Sequence, residues 1–265
     1  MSNGPKIIKR IADAFAISLL CLIVFSLVGL TGLFSSIQLG LGETVSESNV
    51  FTSDQVSELE IELFTADITV LKGETLQIDS TKNCFRVHNR NGKLTLEEKN
   101  ALFSRDESRH VTICIPEDFT FRKVEIDTGA GNINAEALKT EYLELDVGAG
   151  FVTFDNLDVT KKADIDCGAG TFTAKNGLLH NLDFSLGVGK ADISAKLLAN
   201  ADIESGVGEL KLLLLGGKET YPLAIEKGLG IFTVDSEFVK ETVIGSGENK
   251  VKIEGGIGNI NVSFA

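Results

Sequence analysis

The chain has 265 residues, 43% of them hydrophobic and 24% charged, with three prolines and no tryptophan, the composition of a folded protein with a sizeable core. Its formal net charge of −13 argues against a nucleic-acid partner, because binding phosphates needs a basic face. The cysteines Cys21, Cys84, Cys114 and Cys167 form no C-x-x-C pair and no metal-ligand spacing with His88, His110 or His180, so no disulfide framework and no zinc site is expected. Cys84–Cys114 is the only pair to weigh as a bridge.

Residues 1–13 are a basic stub, with Lys6, Lys9 and Arg10 against Asp13, a net of +2. The rest of the chain then holds 22 basic and 37 acidic residues, a net of −15. From Ala14 to Gly42 there are 29 residues without a charge. About 20 apolar residues cross a bilayer core, so residues 14–38 are expected to form a transmembrane signal-anchor helix. The basic stub holds the N-terminus in the cytoplasm and puts the body outside the cell membrane. A cleaved signal peptide is the competing reading, but its apolar core is shorter and ends in a small-residue site that is missing here. Residues 39–55, rich in Ser, Thr and acids, are expected to be a tether.

Residues 56–123 are β-rich without a regular period: Leu59, Ile61 and Leu63 alternate, as do Ile68 and Val70. Asn91-Gly92 predicts a hairpin between the strands on either side. This region is expected to form irregular starting coils that cap one end of a larger repeat body built from residues 124–265.

From residue 124 to 265 a glycine pair recurs: Gly129/Gly131, Gly148/Gly150, Gly168/Gly170, Gly187/Gly189, Gly206/Gly208, Gly228/Gly230 and Gly256/Gly258. The first-glycine intervals are 19, 20, 19, 19, 22 and 28, and Gly245-Ser-Gly247 in the longest reads as a loop insertion. Apolar residues alternate on both sides of each pair, from Val124/Ile126 and Ile133/Ala135 to Val251/Ile253 and Ile260/Val262. Period two means half-buried strand, so each unit is two strands meeting at a glycine corner where a Cβ would obstruct the bend. Two short strands cannot close a core alone, but stacked units can. The predicted fold is all-β: a parallel β-solenoid of seven Gly-x-Gly coils of 19–20 residues, preceded by one transmembrane helix.

The run EIDTGAGNINAEAL, ELDVGAGFVTFDNL, DIDCGAGTFTAKNG resembles the putative-adhesin β-strand-repeat domain of unknown function of bacterial envelope proteins, over residues 56–265. The resemblance implies a β-repeat fold, a cell-envelope location with an N-terminal membrane helix, and association with envelope-stress loci of Gram-positive bacteria. It transfers no functional residue.

No nucleophile–base–orienter set is visible, and paired carboxylates that repeat coil after coil read as a face, so no enzyme activity and no cofactor is expected. Gly-x-Gly followed by a strand, seven times, is not a dinucleotide fingerprint, which opens a helix. Two positions before each first glycine stand Asp127, Asp146, Asp166, Ser185, Glu204, Glu226 and Glu254, and two earlier Glu125, Glu144, Asp164, Asp183, Asp202, Ala224 and Lys252. Stacking turns these into two acid columns, read as a solvated face or, at Asp146, Asp166, Glu144 and Asp164, as ligands for Ca²⁺ or a cationic partner. Asn259, Ile260, Asn261 and Val262, in the last coil, are expected to offer an open edge for self-association or strand addition. Together these features predict a non-catalytic, membrane-anchored scaffold or binding module for an envelope protein, wall polymer or cationic peptide. The alternatives are a self-associating spacer or adhesin and, more remotely, a carboxylate-based hydrolase.

Overall fold

Alternating apolar residues become strand throughout the glycine-punctuated region, and every inward residue named there, from Val124 to Val262, is buried. The structure is a computed structural model describing residues 46–99, 109–226, 228–238 and 243–265. The expected membrane span, residues 14–38, and the basic stub lie outside the described residues. Among the described residues no helix is long and apolar enough to cross a membrane.

The strands are β1 (Ser46–Phe51), β2 (Glu58–Leu63), β3 (Asp67–Gly73), β4 (Leu76–Thr81), β5 (Phe85–Arg90), β6 (Lys93–Glu98), β7 (His110–Pro116), β8 (Phe121–Ala135), β9 (Leu138–Phe154), β10 (Leu157–Leu214), β11 (Leu223–Glu226), β12 (Leu229–Val234), β13 (Glu237–Phe238), β14 (Val243–Ile244) and β15 (Lys250–Phe264). Strand β10 winds through three glycine corners without a break. Successive layers pair in parallel and in register: Ile126 lies against Leu145, Leu145 against Ile165, and Gly131 against Gly150. A third paired stretch in each turn, where Leu138 meets Leu157 and Thr140 meets Val159, adds a wall to the two-stranded unit predicted from the glycine pairs. Phe154, Phe172 and Phe184 pack along the core, with ring centroids 6.2 and 5.1 Å apart.

The glycine corner is a steric requirement. Gly170 has φ +131°, and a Cβ placed on it would overlap the carbonyl oxygen of Gly150 one layer below. The same overlap recurs up the column, Gly189 over Gly170 and Gly208 over Gly189. Layers at the β-sheet spacing of about 4.8 Å leave no room for a side chain between corner and corner.

Layer order departs from sequence order at both ends. Gly258 sits over Gly208, and Gly230 over Gly258, so β15, last in the chain, is inserted between the end of β10 and the β11–β12 layer. The 28-residue glycine interval is this excursion: the chain builds the outermost layer, turns back through β13 and β14, and returns to fill the gap. The expected edge at Asn259–Val262 is therefore wrong. Those residues pair with Glu209–Leu212 on one side and Ile231–Val234 on the other. The outermost parallel layer among the described residues is β11–β12.

The N-terminal end mirrors this. Strands β2 and β3 stack on β8, with Leu59 against Val124 and Ile68 against Ile133, while β6 and β7, later in the chain, stack outside them. The starting region thus supplies two regular parallel layers, which with the seven glycine-cornered ones make nine. The hairpin at Asn91-Gly92 forms as predicted, with φ of +53° and +82°, and lays β5 antiparallel along β6. Strand β4 covers β7, and β1 covers β4. Residues 46–51, expected in the tether, are this covering strand β1. Pairing with β4 outweighs their polar composition.

In the layer of β2 and β3 the glycine corner is replaced by Phe64-Thr65-Ala66. The Glu98 carboxylate accepts hydrogen bonds from the Phe64 N–H at 2.6 Å and the Thr65 N–H at 3.0 Å. Arg109 donates to the same carboxylate at 2.8 Å, and both side chains are buried, Glu98 fully and Arg109 with 8% exposed. A side-chain ion pair thus closes the corner of the second layer at the capped end.

Candidate functional site

The acid columns form as the stacking requires. Glu62, Asp127, Asp146 and Asp166 lie in register down one line, and Glu60, Glu125, Glu144 and Asp164 down the next. A third line of lysines answers the second column: Lys93 pairs with Glu60, Lys123 bridges Glu125 and Glu144 at 2.8 Å each, and Lys162 pairs with Asp164 at 2.6 Å. Those hydrogen bonds push the Lys123 ammonium well above the usual lysine range. Near the other end Lys252 stands in the second column itself and pairs with Glu254 and Glu226 of the first.

Asp127, Asp146 and Asp166 are exposed and in no ion pair among the described residues. The Asp146 carboxyl is pushed above its ordinary range, first by partial desolvation between its flanking layers and then by repulsion from Asp127, Asp166 and Glu144. A carboxyl with a raised folded pKa binds its proton more readily folded than unfolded, so stability falls as pH rises through the interval between the two values. Asp146→Asn is accordingly expected to raise the melting temperature at neutral pH. The gain should shrink in high salt and vanish once the pH falls below the ordinary aspartate pKa. A variant no more stable than wild type at neutral pH and low salt would show that the column carries no net repulsion.

The four expected cation ligands do not converge. Among the described residues the acidic groups whose ligand atoms come within 4.8 Å of one another are Asp202, Glu204 and Glu254. Glu144 and Asp164 are held by Lys123 and Lys162, and the layer spacing strings Asp146 and Asp166 along a line. Three carboxylates with Lys252 bonded to one of them fall short of the 6–8 oxygens typical of Ca²⁺. The histidines are scattered: His88 on β5, His110 at the start of β7, and His180 beside the Asn181 amide at 2.8 Å. Burial pushes the Cys167 thiol up to about 12, and no disulfide joins Cys84 to Cys114.

A different surface emerges at the corner. The residue between the two glycines is Ala130, Ala149 and Ala169 in the first layers and then Val188, Val207, Ile257 and Leu229 in spatial order toward the last. The last four are 46%, 45%, 56% and 74% exposed, and Ile231 beside them is 49% exposed. Sequence reasoning passed over these positions because it treated each corner as two glycines. The change from alanine to larger aliphatics was readable, but hydrophobicity alone assigns Val, Ile and Leu to a core. Contiguous exposed aliphatics of this kind mark interaction sites more often than isolated ones do.

This ridge ends on the last parallel layer. Among the described residues the outer side of β12 is paired with β13 at Thr233 and Val234, and that of β11 with β14 at Leu223 and Ala224. Leu229–Phe232 has no strand on its outer side among the described residues. Gly228, Leu229, Gly230, Ile231, Gly256 and Ile257 line a shallow recess there. The N-terminal end, by contrast, is covered along all of β6 by β5, and its corner is closed by Glu98 and Arg109.

The chain is similar to several solved structures. A Bacteroides fragilis protein described as a "putative adhesin" aligns with 86% of this chain and 100% of its own at 18% identity, with a TM-score of 0.51. A Clostridium sporogenes protein described as a "putative cell adhesion protein" aligns with 83% and 99% at 15% identity, with a TM-score of 0.42. A Parabacteroides distasonis protein, again described as a "putative adhesin", aligns with 85% and 98% at 16% identity and a TM-score of 0.40. No curated protein sequence matches the chain. Residues 56–263, nearly the whole stack of layers, match the family described as Toastrack DUF4097, and the chain belongs to that family.

Proposed function

We propose that this protein is a non-catalytic binding module of the bacterial cell envelope, held by a single membrane span at residues 14–38 and displaying its layered body outside the cytoplasmic membrane. The observation that carries this reading is the asymmetry of the two ends. The end where β1 lies is covered and polar, whereas the opposite end carries the aliphatic ridge. A chain arriving from the membrane enters at β1. Eight layer steps of about 4.8 Å then hold the ridge roughly 40 Å away, at the far end of a stiff rod. Residues 39–45 are left as the tether in this reading. Likeness in fold to the Bacteroides fragilis protein described as a "putative adhesin" supports a role in contact rather than catalysis, and an envelope-stress connection is part of the same proposal.

The acidic face contributes long-range attraction for basic partners, with lysines setting its local balance. Orientation is tested on intact cells bearing a short N-terminal tag. Added protease is expected to remove the body from about residue 43 onward and to spare the tag. Protection of the whole chain would overturn the topology. Binding is tested with envelope fractions, where retention on the purified protein should weaken as salt rises.

A further inference from the structure

We propose that the glycine-corner edge from Ala149 to Val207 is the docking surface for a basic amphipathic helix of a partner protein, laid along the rod with its aliphatic seam on Phe151, Val188 and Val207 and its lysines or arginines over Asp146 and Asp166. The inference rests on reading the body as a binding module and names what it binds.

These four layers lie inside the stack, so their corner presents a row of side chains and no strand edge. Ala149 pairs with Ala130 on one side and Ala169 on the other, Gly189 lies over Gly170, and Val207 pairs with Ile257. Their main-chain groups are turned to one another along the rod, and a partner strand finds no ladder to join. The row itself is apolar: Phe151 is 63% exposed, Val188 46% and Val207 45%, with Ala149 and Ala169 half-exposed at the same corner. Spacing selects the form of the partner. Row residues recur at the layer spacing, about 4.8 Å, and a helix seam advances about 5.4 Å per turn, whereas alternate side chains of a strand advance about 6.8 Å. Over the three steps from Ala149 to Val207 a helix drifts by about 2 Å and a strand by about 6 Å, more than a whole layer. A helix, whose backbone groups are satisfied internally, keeps step with the row.

Charge selects its composition. Asp146 and Asp166 stand in register two positions before the first corner glycine, exposed and in no ion pair among the described residues. Glu144 and Asp164, two positions farther from the corner, are the carboxylates held by Lys123 and Lys162. The lysines thus leave unanswered the column nearest the row. Three residues separate Asp166 from Ala169, at most about 10 Å of extended strand, which is the width of one helix. Beyond the corner in the same two layers the outward residues are Thr153 and Thr173, without charge. A helix seated on the row meets carboxylates along one flank, so aliphatics beneath and basic side chains on that flank complement it. A second copy of this chain, −15 from residue 43 on, brings acid against acid.

The test uses the full chain in phosphatidylcholine nanodiscs and a fluorescent peptide of about 16 residues, roughly 24 Å of helix, with leucine along its seam and lysine on one flank. Saturable binding by anisotropy, absent from empty nanodiscs, is expected, with helicity gained on binding. Val207→Asp should weaken it about tenfold or more with the melting temperature unchanged. Asp146→Lys combined with Asp166→Lys should weaken it comparably and gain affinity for a peptide with glutamate in place of lysine. A peptide of the same composition in scrambled order should bind about tenfold more weakly or worse. No binding, equal binding by wild type and both variants, or undiminished binding of the scrambled peptide each overturns the proposal. So does a dimer of the chain dissolved by Val207→Asp, which would assign the row to a second copy. Peptide failure alongside a cell-surface body and salt-sensitive envelope binding removes only this assignment. A cytoplasmic body that still captures the peptide removes the envelope reading and leaves the docking edge.

Discussion

Phe172→Asp is expected to unfold the body, while Thr173→Asp, one residue on, is expected to leave it folded with a melting temperature near that of wild type. Phe172 is fully buried in the middle of the stack, between Phe154 and Phe184. Removing a buried phenylalanine costs about 3–5 kcal/mol. A carboxylate left there without a partner costs several more, unless it binds a proton and shifts its pKa far upward. The sum rivals the whole stability of an ordinary domain, about 5–15 kcal/mol. Thr173 lies half-exposed on the outer face, where substitutions usually move stability by about 0.5 kcal/mol or less. Circular dichroism and thermal melting of the two variants read the difference directly. Equal behaviour would mean that the inward and outward registers have been exchanged.

Glu98→Ala is expected to cost about 3–5 kcal/mol and to loosen the capped end first. The substitution strips acceptors from the Phe64 and Thr65 N–H groups and leaves the buried Arg109 guanidinium without its carboxylate. An orphaned buried donor carries about 1–3 kcal/mol by itself. In a layered protein each layer touches only its neighbours, so the damage should concentrate in β1 to β7 while the glycine layers persist. Hydrogen exchange should show fast amides at Phe64 and Thr65 with slow ones at Ile165 and Ile203. Pairing the change with Arg109→Met should recover much of the loss, because an apolar pair leaves no buried charge. Wild-type exchange at Phe64 and Thr65 in the Glu98→Ala variant would deny the carboxylate this role.

These two residues differ in how far the sequence announced them. Phe172 stands two places after Gly170 in a run of alternating apolar residues, and strand periodicity is local, so its inward direction could be read without coordinates. Glu98 looks like one more acid at the end of an ordinary strand. Its role depends on Phe64 and Arg109, which are 34 and 11 residues away, meeting at one corner.

The layers, their register, the inward face and the glycine corners were all legible in the chain, because each depends on a few neighbouring residues and one backbone restriction. The order of layers at the two ends was not. The strands around Gly228 and Gly256 carry nearly the same signals, and either can sit on β10. Which one does so depends on how the connection through β13 and β14 packs, a non-local contact that periodicity cannot rank. That choice set Asn259–Val262 between two strands and left Leu229–Phe232 in the outermost parallel layer. The acid columns were predicted from spacing, but their pairing with Lys93, Lys123 and Lys162, within layers and across them, set which carboxylates remain unanswered. The exposed ridge of Val188, Val207, Ile257 and Leu229 was likewise decided in three dimensions: a tight glycine corner turns its middle residue outward, whatever its hydrophobicity, because the inner side of the bend is filled by the layers above and below.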